Sequence, residues 1–345
     1  MFVVDNYILA VILCIVTMIC WGSWGNTQKA VGSYWRQEYF YWDYVVGVVA
    51  LSLILAFTLG SFGTQGRPFV EDMQQISLQN YLNAFIGGAL MNTGNILLTI
   101  SVSLVGLAVA FPVGVGLGLV FGVIINYFEN PKGDPYLLFT GVALIVVSIV
   151  MSSLSSGLMA KLRDKESNRS DKQDSARVRL GLIMAVLAGV FISFFYRFVA
   201  AAMDLENFVS PAAGKATPYS ALFIFACGMF GCSLILNSYF MKKPFVGSPA
   251  KYGEYFAGKT KTHLIGVGGG LVWGLGSGLS YIAAGKAGPA VSYALGQGAT
   301  IVAALWGLLV WQEFRGASKT IQVLLAIMIV SFLTGIAAII VSGGN

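Results

Sequence analysis

Ten long runs of mainly apolar residues recur along the 345-residue chain, and they limit its fold more than any other feature. Each run has about 20 residues, the length with which an α-helix crosses a hydrocarbon core about 30 Å thick. The runs cover residues 7–27, 40–62, 80–102, 104–127, 136–159, 180–202, 218–240, 263–284, 287–310 and 319–341. Only 10% of residues are charged, against about 25% in a soluble domain. The sequence therefore predicts an all-α integral membrane protein and excludes a soluble enzyme, a disordered chain and a nucleic-acid-binding protein.

The distribution of basic residues predicts the orientation in the membrane. Loops that follow odd-numbered runs carry 16 Lys and Arg residues, whereas the opposite loops carry four. Because cytoplasmic loops are enriched in Lys and Arg, we expect the odd loops in the cytoplasm and both termini outside. The first run lacks a basic leader and a small-residue cleavage site, so it predicts a spanning helix rather than a signal peptide. We expect a multi-pass protein of the plasma or bacterial inner membrane.

The chain divides into two halves around a charged segment. Residues 161–177 are polar and predict a cytoplasmic linker between two five-helix repeats, 1–160 and 178–345. Five is an odd number, so the second repeat enters the membrane in the opposite sense. Residues 106–116 match residues 288–298 at an offset of 182, which also aligns Gly94 with Gly276. Inverted repeats around a site at the bilayer midplane are typical of secondary transporters.

Several of these segments resemble the ureide permease family. They are residues 20–24 (CWGSW), 41–44 (YWDY), 91–95 (MNTGN), 105–109 (VGLAV), 126–128 (NYF), 274–279 (GLGSGL), 285–288 (GKAG), 306–309 (WGLL) and 312–315 (QEFR). The family belongs to the drug/metabolite transporter superfamily, beside bacterial glucose and rhamnose porters. The resemblance implies the ten-helix fold of that superfamily and proton-linked uptake of a small polar solute. In plant members that solute is a ureide or uracil; for bacterial relatives the resemblance implies pentoses or nucleoside-derived compounds. The nucleotide-binding-like motif of the longer plant central loop is absent here.

Polar side chains at helical spacing in three runs are the candidate substrate-binding residues. The third run holds Asn92, Asn95 and Thr99, the eighth Trp273, Ser277 and Tyr281, and the ninth Tyr293 and Gln297, followed by Thr300. Polar groups at the bilayer centre must face protein or water. These residues therefore form hydrogen bonds between helices or line a cavity, and both interpretations stay open. Amide and aromatic groups suit a neutral ligand that forms many hydrogen bonds.

Trp21 and Trp24 near the end of the first run are the next candidates, again with two interpretations. Tryptophan is enriched at membrane interfaces, which favours an aromatic belt, whereas stacking on a planar or sugar ligand is the functional alternative. Asp43 at the start of the second run is either an interfacial residue or the carboxylate that carries the coupling proton.

Three charged residues lie close to the ends of runs. Arg197 is expected to extend to the outer interface or to pair with Asp204 or Glu206, and a gate ion pair is the alternative. Glu129 and Glu313 are expected to be solvated.

Residues 253–260 (GEYFAGKT) match the phosphate-loop pattern but lack its context. Such a loop needs a preceding buried strand and an acidic magnesium partner, and this one lies between two spans. We therefore expect no nucleotide-binding subunit, cofactor or metal; the four cysteines all lie in apolar runs.

Taken together, these features predict a transporter rather than an enzyme: a proton-coupled symporter that imports a small neutral metabolite, with a ureide or nucleobase preferred. Alternatives are a pentose, ribose or nucleoside-type porter, a multidrug or metabolite exporter, and a membrane receptor that does not transport. We expect a monomer or a homodimer.

Overall fold

All ten apolar runs form helices that are long and apolar enough to cross a membrane. The computed structural model describes residues 1–32, 34–166, 175–245 and 247–344, and for residues 107–108 and 163–166 the backbone alone. The helices are α1 (Tyr7–Val31), α2 (Gln37–Phe57), α3 (Leu78–Val105), α4 (Leu107–Glu129), α5 (Pro135–Glu166), α6 (Ser175–Ala202), α7 (Pro218–Lys242), α8 (Thr260–Ala287), α9 (Pro289–Val310) and α10 (Lys319–Gly343). The predicted all-helical membrane fold is confirmed.

The helix starts follow from local sequence. Asn6, Ser77, Thr217 and Ser318 each precede a spanning helix, and each side chain accepts a hydrogen bond from a backbone N–H of the first turn. These caps satisfy donors that have no partner inside the helix. Two short helices, Phe69–Gln75 and Tyr252–Phe256, lie in connecting segments.

Both chain termini lie at the same end of the bundle. Phe2 N donates to Leu59 O in the connection after α2, and Asp134 N donates to Ser342 O near the end of α10. We call this the outer end, and the end that carries the loops after odd-numbered helices the inner end.

The matching segments 106–116 and 288–298 begin with the same backbone geometry. Gly106, between α3 and α4, has φ 78° and ψ 163°, and Gly288, between α8 and α9, has φ 80° and ψ 152°. Side chains with a Cβ rarely adopt this region, which explains glycine at both turns.

Helix crossings repeat between the halves, at an offset of 182 for α3 and α8 and of 181 for α2 and α7. Gly88 of α3 packs against the backbone of α7 at Phe225, and Gly270 of α8 packs against the backbone of α2 at Tyr44. Likewise α3 packs on α6 as α8 packs on α1. This pairing is the pattern that the predicted inverted repeats would give.

Helix ends extend into the predicted linker. Helix α5 continues to Glu166 and α6 begins at Ser175, so both edges of the segment 161–177 are helical. Residues 167–174 of that linker lie outside the described residues. The domain boundaries therefore stay predictions.

Candidate functional site

A cavity of about 390 Å³ lies between the two halves and reaches the inner end of the bundle. Side chains of α1, α2, α3, α4, α5 and α9 contribute to its wall. Its neutral polar and aromatic wall includes Trp24, Tyr41, Asn95, Thr99, Ser153 and Thr300. The volume is in the range of small-molecule sites. We call it the central cavity.

The charged groups of the central cavity are Lys29 and Glu313, which form an ion pair with each other. Both side chains are about half exposed, with 50% and 42% of their surface accessible. Glu313 was expected to be solvated, and it is both partly exposed and paired. The interior wall of the cavity is therefore uncharged.

Four predicted binding residues line this cavity: Trp24, Asn95, Thr99 and Thr300. The side chain of Trp24 also packs on Tyr44, with 4.7 Å between ring centroids. The aromatic-belt interpretation of the tryptophans is wrong, because Trp24 faces the cavity and Trp21 is only 8% exposed. Both side chains contact protein instead of forming a lipid-facing ring.

Asn92 lies beyond the cavity wall and is held by two hydroxyl groups. Its Oδ1 accepts hydrogen bonds from Tyr41 Oη at 2.9 Å and from Ser233 Oγ at 3.1 Å. Its Nδ2 is buried and donates no hydrogen bond within the described residues. A buried amide donor without a partner is costly, so this group is suited to a ligand or water acceptor.

An aromatic layer separates the central cavity from the outer end. Trp21 stacks on Trp273 at 5.7 Å and 14°, and Trp273 stacks on Phe225 at 6.1 Å and 16°. Trp21 Nε1 donates to Ser277 Oγ at 3.1 Å. These rings pack three helices together and fill the space beyond the cavity.

The remaining predicted binding residues extend this layer toward the outer end. Tyr293 Oη donates to Gly118 O at 2.8 Å, and Tyr196 packs against both Tyr281 and Tyr293. Gln297 is 8% exposed. Trp21, Trp273, Ser277, Tyr281, Tyr293 and Gln297 are therefore buried in the protein and lie outside the lining of the central cavity.

At the outer end, Arg197 pairs with Glu129 at 2.7 Å. Arg197 was expected to extend to the interface or to pair with Asp204 or Glu206, and Glu129 was expected to be solvated; the Glu129 side chain is 53% exposed. Asp204 and Glu206 instead line, with this pair, a pocket of about 260 Å³. The ion pair joins α6 to α4 at the outer end of the bundle.

Asp43 is buried at the crossing of α2 with α8, and it is 2% exposed. Its Oδ1 accepts a hydrogen bond from Tyr255 Oη at 2.8 Å and lies 2.8 Å from His263 Nδ1. Asp43 is therefore enclosed by protein near the inner end, and its role as proton carrier stays a prediction. It is absent from the lining of the central cavity, and its partner His263 was not predicted.

Sequence reasoning also missed part of the cavity wall. Tyr41 lies in one of the resembling segments but was not selected, and Ser152, Ser153 and Ser156 of α5 were not selected either. The serine pairs of residues 152–156 in an otherwise apolar run were the available signal. Among the described residues, no group of three or more His, Cys, Asp or Glu side chains is placed to hold a metal ion.

Comparisons with known proteins agree with this architecture. The sequence model of the ureide permease family matches residues 40–161 and 155–342. Ureide permease 4 of Arabidopsis thaliana is 25% identical over the whole of both chains. The putative sugar uptake protein YxfA of Lactococcus lactis is 25% identical over 97% of this chain and 99% of its own. A solved crystal structure at 14% identity covers 95% of both chains with a TM-score of 0.59, which shows a shared fold.

Proposed function

Because the chain belongs to the ureide permease family of membrane transporters, we propose that it imports a small neutral metabolite by proton-coupled alternating access. The preferred substrate class is a ureide or nucleobase. The protein acts as a transporter and not as an enzyme.

The observation that carries the proposal is the chemistry of the central cavity. Amide, hydroxyl and aromatic groups of Asn95, Thr99 and Trp24 form its wall, and its two charged groups neutralise each other. A planar ureide or nucleobase has several N–H donors and carbonyl acceptors. It would stack on an indole ring while its polar edge forms hydrogen bonds to the amide and the hydroxyl.

A sugar is the second candidate, and a specific observation favours it. YxfA, whose name describes a putative sugar uptake protein, aligns over nearly the whole chain. Hydroxyl groups of Ser153 and Thr300 suit a pentose as well as a ureide. Pentose, ribose and nucleoside uptake therefore stay alternatives, together with export of a metabolite or drug.

The packing supports a state open to the inner end. The central cavity reaches that end, whereas the packed rings around Trp273 and the Arg197–Glu129 pair lie on the side of the outer end. In the opposite state the aromatic layer would separate. Predicted residues such as Ser277, Tyr281 and Gln297 would then face the solute.

In this proposal Asp43 carries the coupling proton. Transport needs no cofactor and no nucleotide-binding subunit. The carboxylate is buried between helices, where a change of charge has a large effect on packing. We place the inner end in the cytoplasm, since the loops there are rich in Lys and Arg. The transporter would work as a monomer or a homodimer.

Uptake into proteoliposomes tests this function. Radiolabelled allantoin, uracil and ribose are supplied outside, with and without an inward proton gradient. Accumulation of one compound that increases with the gradient is expected, and allantoin or uracil is preferred over ribose. Uptake that does not depend on the gradient would contradict the proton coupling, and ligand binding without flux would indicate a receptor. No binding or flux of any of the three would contradict the proposed substrate class.

A further inference from the structure

The contact between α2 and α8 at the inner end holds a cluster of polar groups that the central cavity does not use. We call Asp43, Tyr255 and His263 the inner cluster. Asp43 Oδ1 lies 2.8 Å from both Tyr255 Oη and His263 Nδ1. Its Oδ2 is buried and accepts no hydrogen bond of normal geometry from the described residues. A buried carboxylate that lacks half its donors is only partly stabilised as an anion.

The crossing of α2 with α8 does not itself require these polar groups. Its counterpart in the other half is the crossing of α7 with α3, where Gly228 and Gly88 correspond to Gly47 and Gly270. At the same offsets, Asp43 corresponds to Ile224 of α7 and His263 to Tyr81 of α3. No carboxylate or imidazole lies at those two positions. The inner cluster is thus an addition to one of two otherwise similar crossings.

The side chains of the inner cluster differ in their exposure to water. The side chain of His263 is 24% exposed, whereas that of Asp43 is 2% exposed. The imidazole therefore lies between solvent and the carboxylate. A proton that binds at Nε2 while the Nδ1 proton passes to Asp43 Oδ1 leaves a neutral imidazole and a neutral carboxyl group, so one proton enters the pair. The pair binds and releases it as a unit.

The segment 252–259, which overlaps the phosphate-loop match at residues 253–260, covers this access. It supplies Tyr255 to the carboxylate, and its Gly258 lies so close to His263 that a Cβ there would fall 2.6 Å from Nε2. Burial, followed by the hydrogen bond to Asp43, raises the pKa of Tyr255 well above its usual range. Tyr255 therefore stays a hydrogen-bond donor throughout the pH range of transport.

The groups that face the carboxylate come from three packed segments. His263 comes from α8, Tyr255 from the short helix Tyr252–Phe256, and the indole of Trp35 from the connection before α2. Glu254 on that short helix accepts a hydrogen bond from Tyr39 Oη at 2.6 Å. On α2 itself, Tyr39 also accepts a hydrogen bond from Lys251 N at 3.0 Å. Among these groups, His263 is the one that lies between the carboxylate and solvent.

We propose that Asp43 and His263 form a shared proton-binding site, covered by residues 252–259, whose occupancy couples the α2–α8 contact to transport. This inference rests on the proposed function and adds His263 as the group through which the proton enters. Protonation would change the charge of the pair that joins the two helices. The α2–α8 contact would then respond to the proton gradient.

Transport assays separate coupling from solute movement. Asp43→Asn keeps the shape of its side chain, and His263→Gln leaves a neutral group that forms hydrogen bonds, but neither new side chain can pass a proton. We expect both variants to lose at least 10-fold in gradient-driven accumulation while solute counterflow, which needs no gradient, continues. The matched control is Tyr34→Phe, which removes a neighbouring 2.6 Å contact with Thr262 and should change neither readout.

The outcomes distinguish the two proposals. Accumulation by His263→Gln at the wild-type level would overturn the shared site and leave the proposed function intact. Loss of counterflow together with accumulation would assign the cluster a structural role and also overturn it. Absence of both activities in the wild type would instead count against the proposed function.

A spectroscopic test does not depend on transport. The chain has one histidine, so ¹⁵N-histidine labelling of the tag-free protein gives the signals of His263 alone. In wild-type protein the ¹⁵N signals should change with pH as the ring proton moves from Nδ1 to Nε2, and this exchange of tautomers should be lost in Asp43→Asn, because an amide cannot accept the Nδ1 proton. Signals that do not change with pH in the wild type, or the same exchange of tautomers in Asp43→Asn, would overturn the proposal.

Discussion

Asn95 and Thr93 lie two positions apart on α3 and meet different surroundings. Asn95 lines the central cavity, whereas Thr93 Oγ1 donates to Ala89 O at 2.8 Å on its own helix. Asn95→Ala would remove one hydrogen bond to a neutral substrate, worth about 1 kcal/mol or somewhat more. We expect the kcat/KM of uptake to fall about 5- to 10-fold.

Thr93→Val is the matched control for this residue. It removes a hydroxyl of α3 without altering the cavity, so uptake should stay within about twofold of the wild type. Initial rates in proteoliposomes over a range of substrate concentrations measure both variants. Equal losses in the two variants would show that the amide has no specific role in binding.

The contacts of individual polar and aromatic side chains could not be predicted from the sequence. The sequence indicated that Asp43 and Trp21 are unusual in apolar helices, but not what they touch. A membrane helix is apolar on the surface that faces lipid and on the surface that packs against other helices, because lipid tails and buried side chains are equally apolar. Trp21 was therefore assigned equally well to lipid or to protein, and the contact of Asp43 with His263, 220 positions away, was not predictable.

The helices themselves were predictable because a span needs an apolar run of fixed length. All ten were located, and the offset that aligns the two halves also relates the turns at Gly106 and Gly288. The break of α9 near Gly298 and its wider last turn, Trp306–Val310, were not predicted. These depend on packing against α1 and leave no distinct pattern in the sequence.

Helix crossings give a prediction at the scale of an element. A Cβ on Gly270 would overlap the carbonyl oxygen of Tyr44, whereas a Cβ on Gly268 would meet no atom within 4 Å. Overpacking of this kind costs about 1–3 kcal/mol. Gly270→Ala should therefore lower the midpoint of thermal unfolding by several degrees in detergent, followed by tryptophan fluorescence.

Gly268→Ala controls for the change of residue type on the same helix. Alanine has the higher helix propensity by about 1 kcal/mol, so this variant should be as stable as the wild type or more so. Gly88→Ala should reproduce the loss seen for Gly270→Ala, since it meets the carbonyl oxygen of Phe225 in the counterpart crossing. A loss confined to Gly270 would argue that the two crossings are not equivalent.

For the whole molecule, the outer end must open if solute enters there. In this state Arg197 and Glu129 hold α6 and α4 together at 2.7 Å, with 41% and 53% of their side-chain surfaces exposed. An ion pair so exposed contributes about 1 kcal/mol or less, so it can break during each cycle. Arg197→Ala should consequently leave stability unchanged and alter the uptake rate by no more than several-fold.

A covalent link at the same place should have a much larger effect, because it prevents separation altogether. We expect Arg197→Cys with Glu129→Cys, in a background without the four native cysteines, to lose nearly all uptake after reaction with a short bifunctional thiol reagent that a reductant cleaves. Reductant should restore uptake, and each single variant should be unaffected by the reagent. Substrate binding from the inner end, measured in detergent, should persist in the linked protein because the central cavity remains accessible there. Uptake that continues at the wild-type rate with the link in place would show that α4 and α6 do not separate at the outer end, and the path of the solute would have to lie elsewhere.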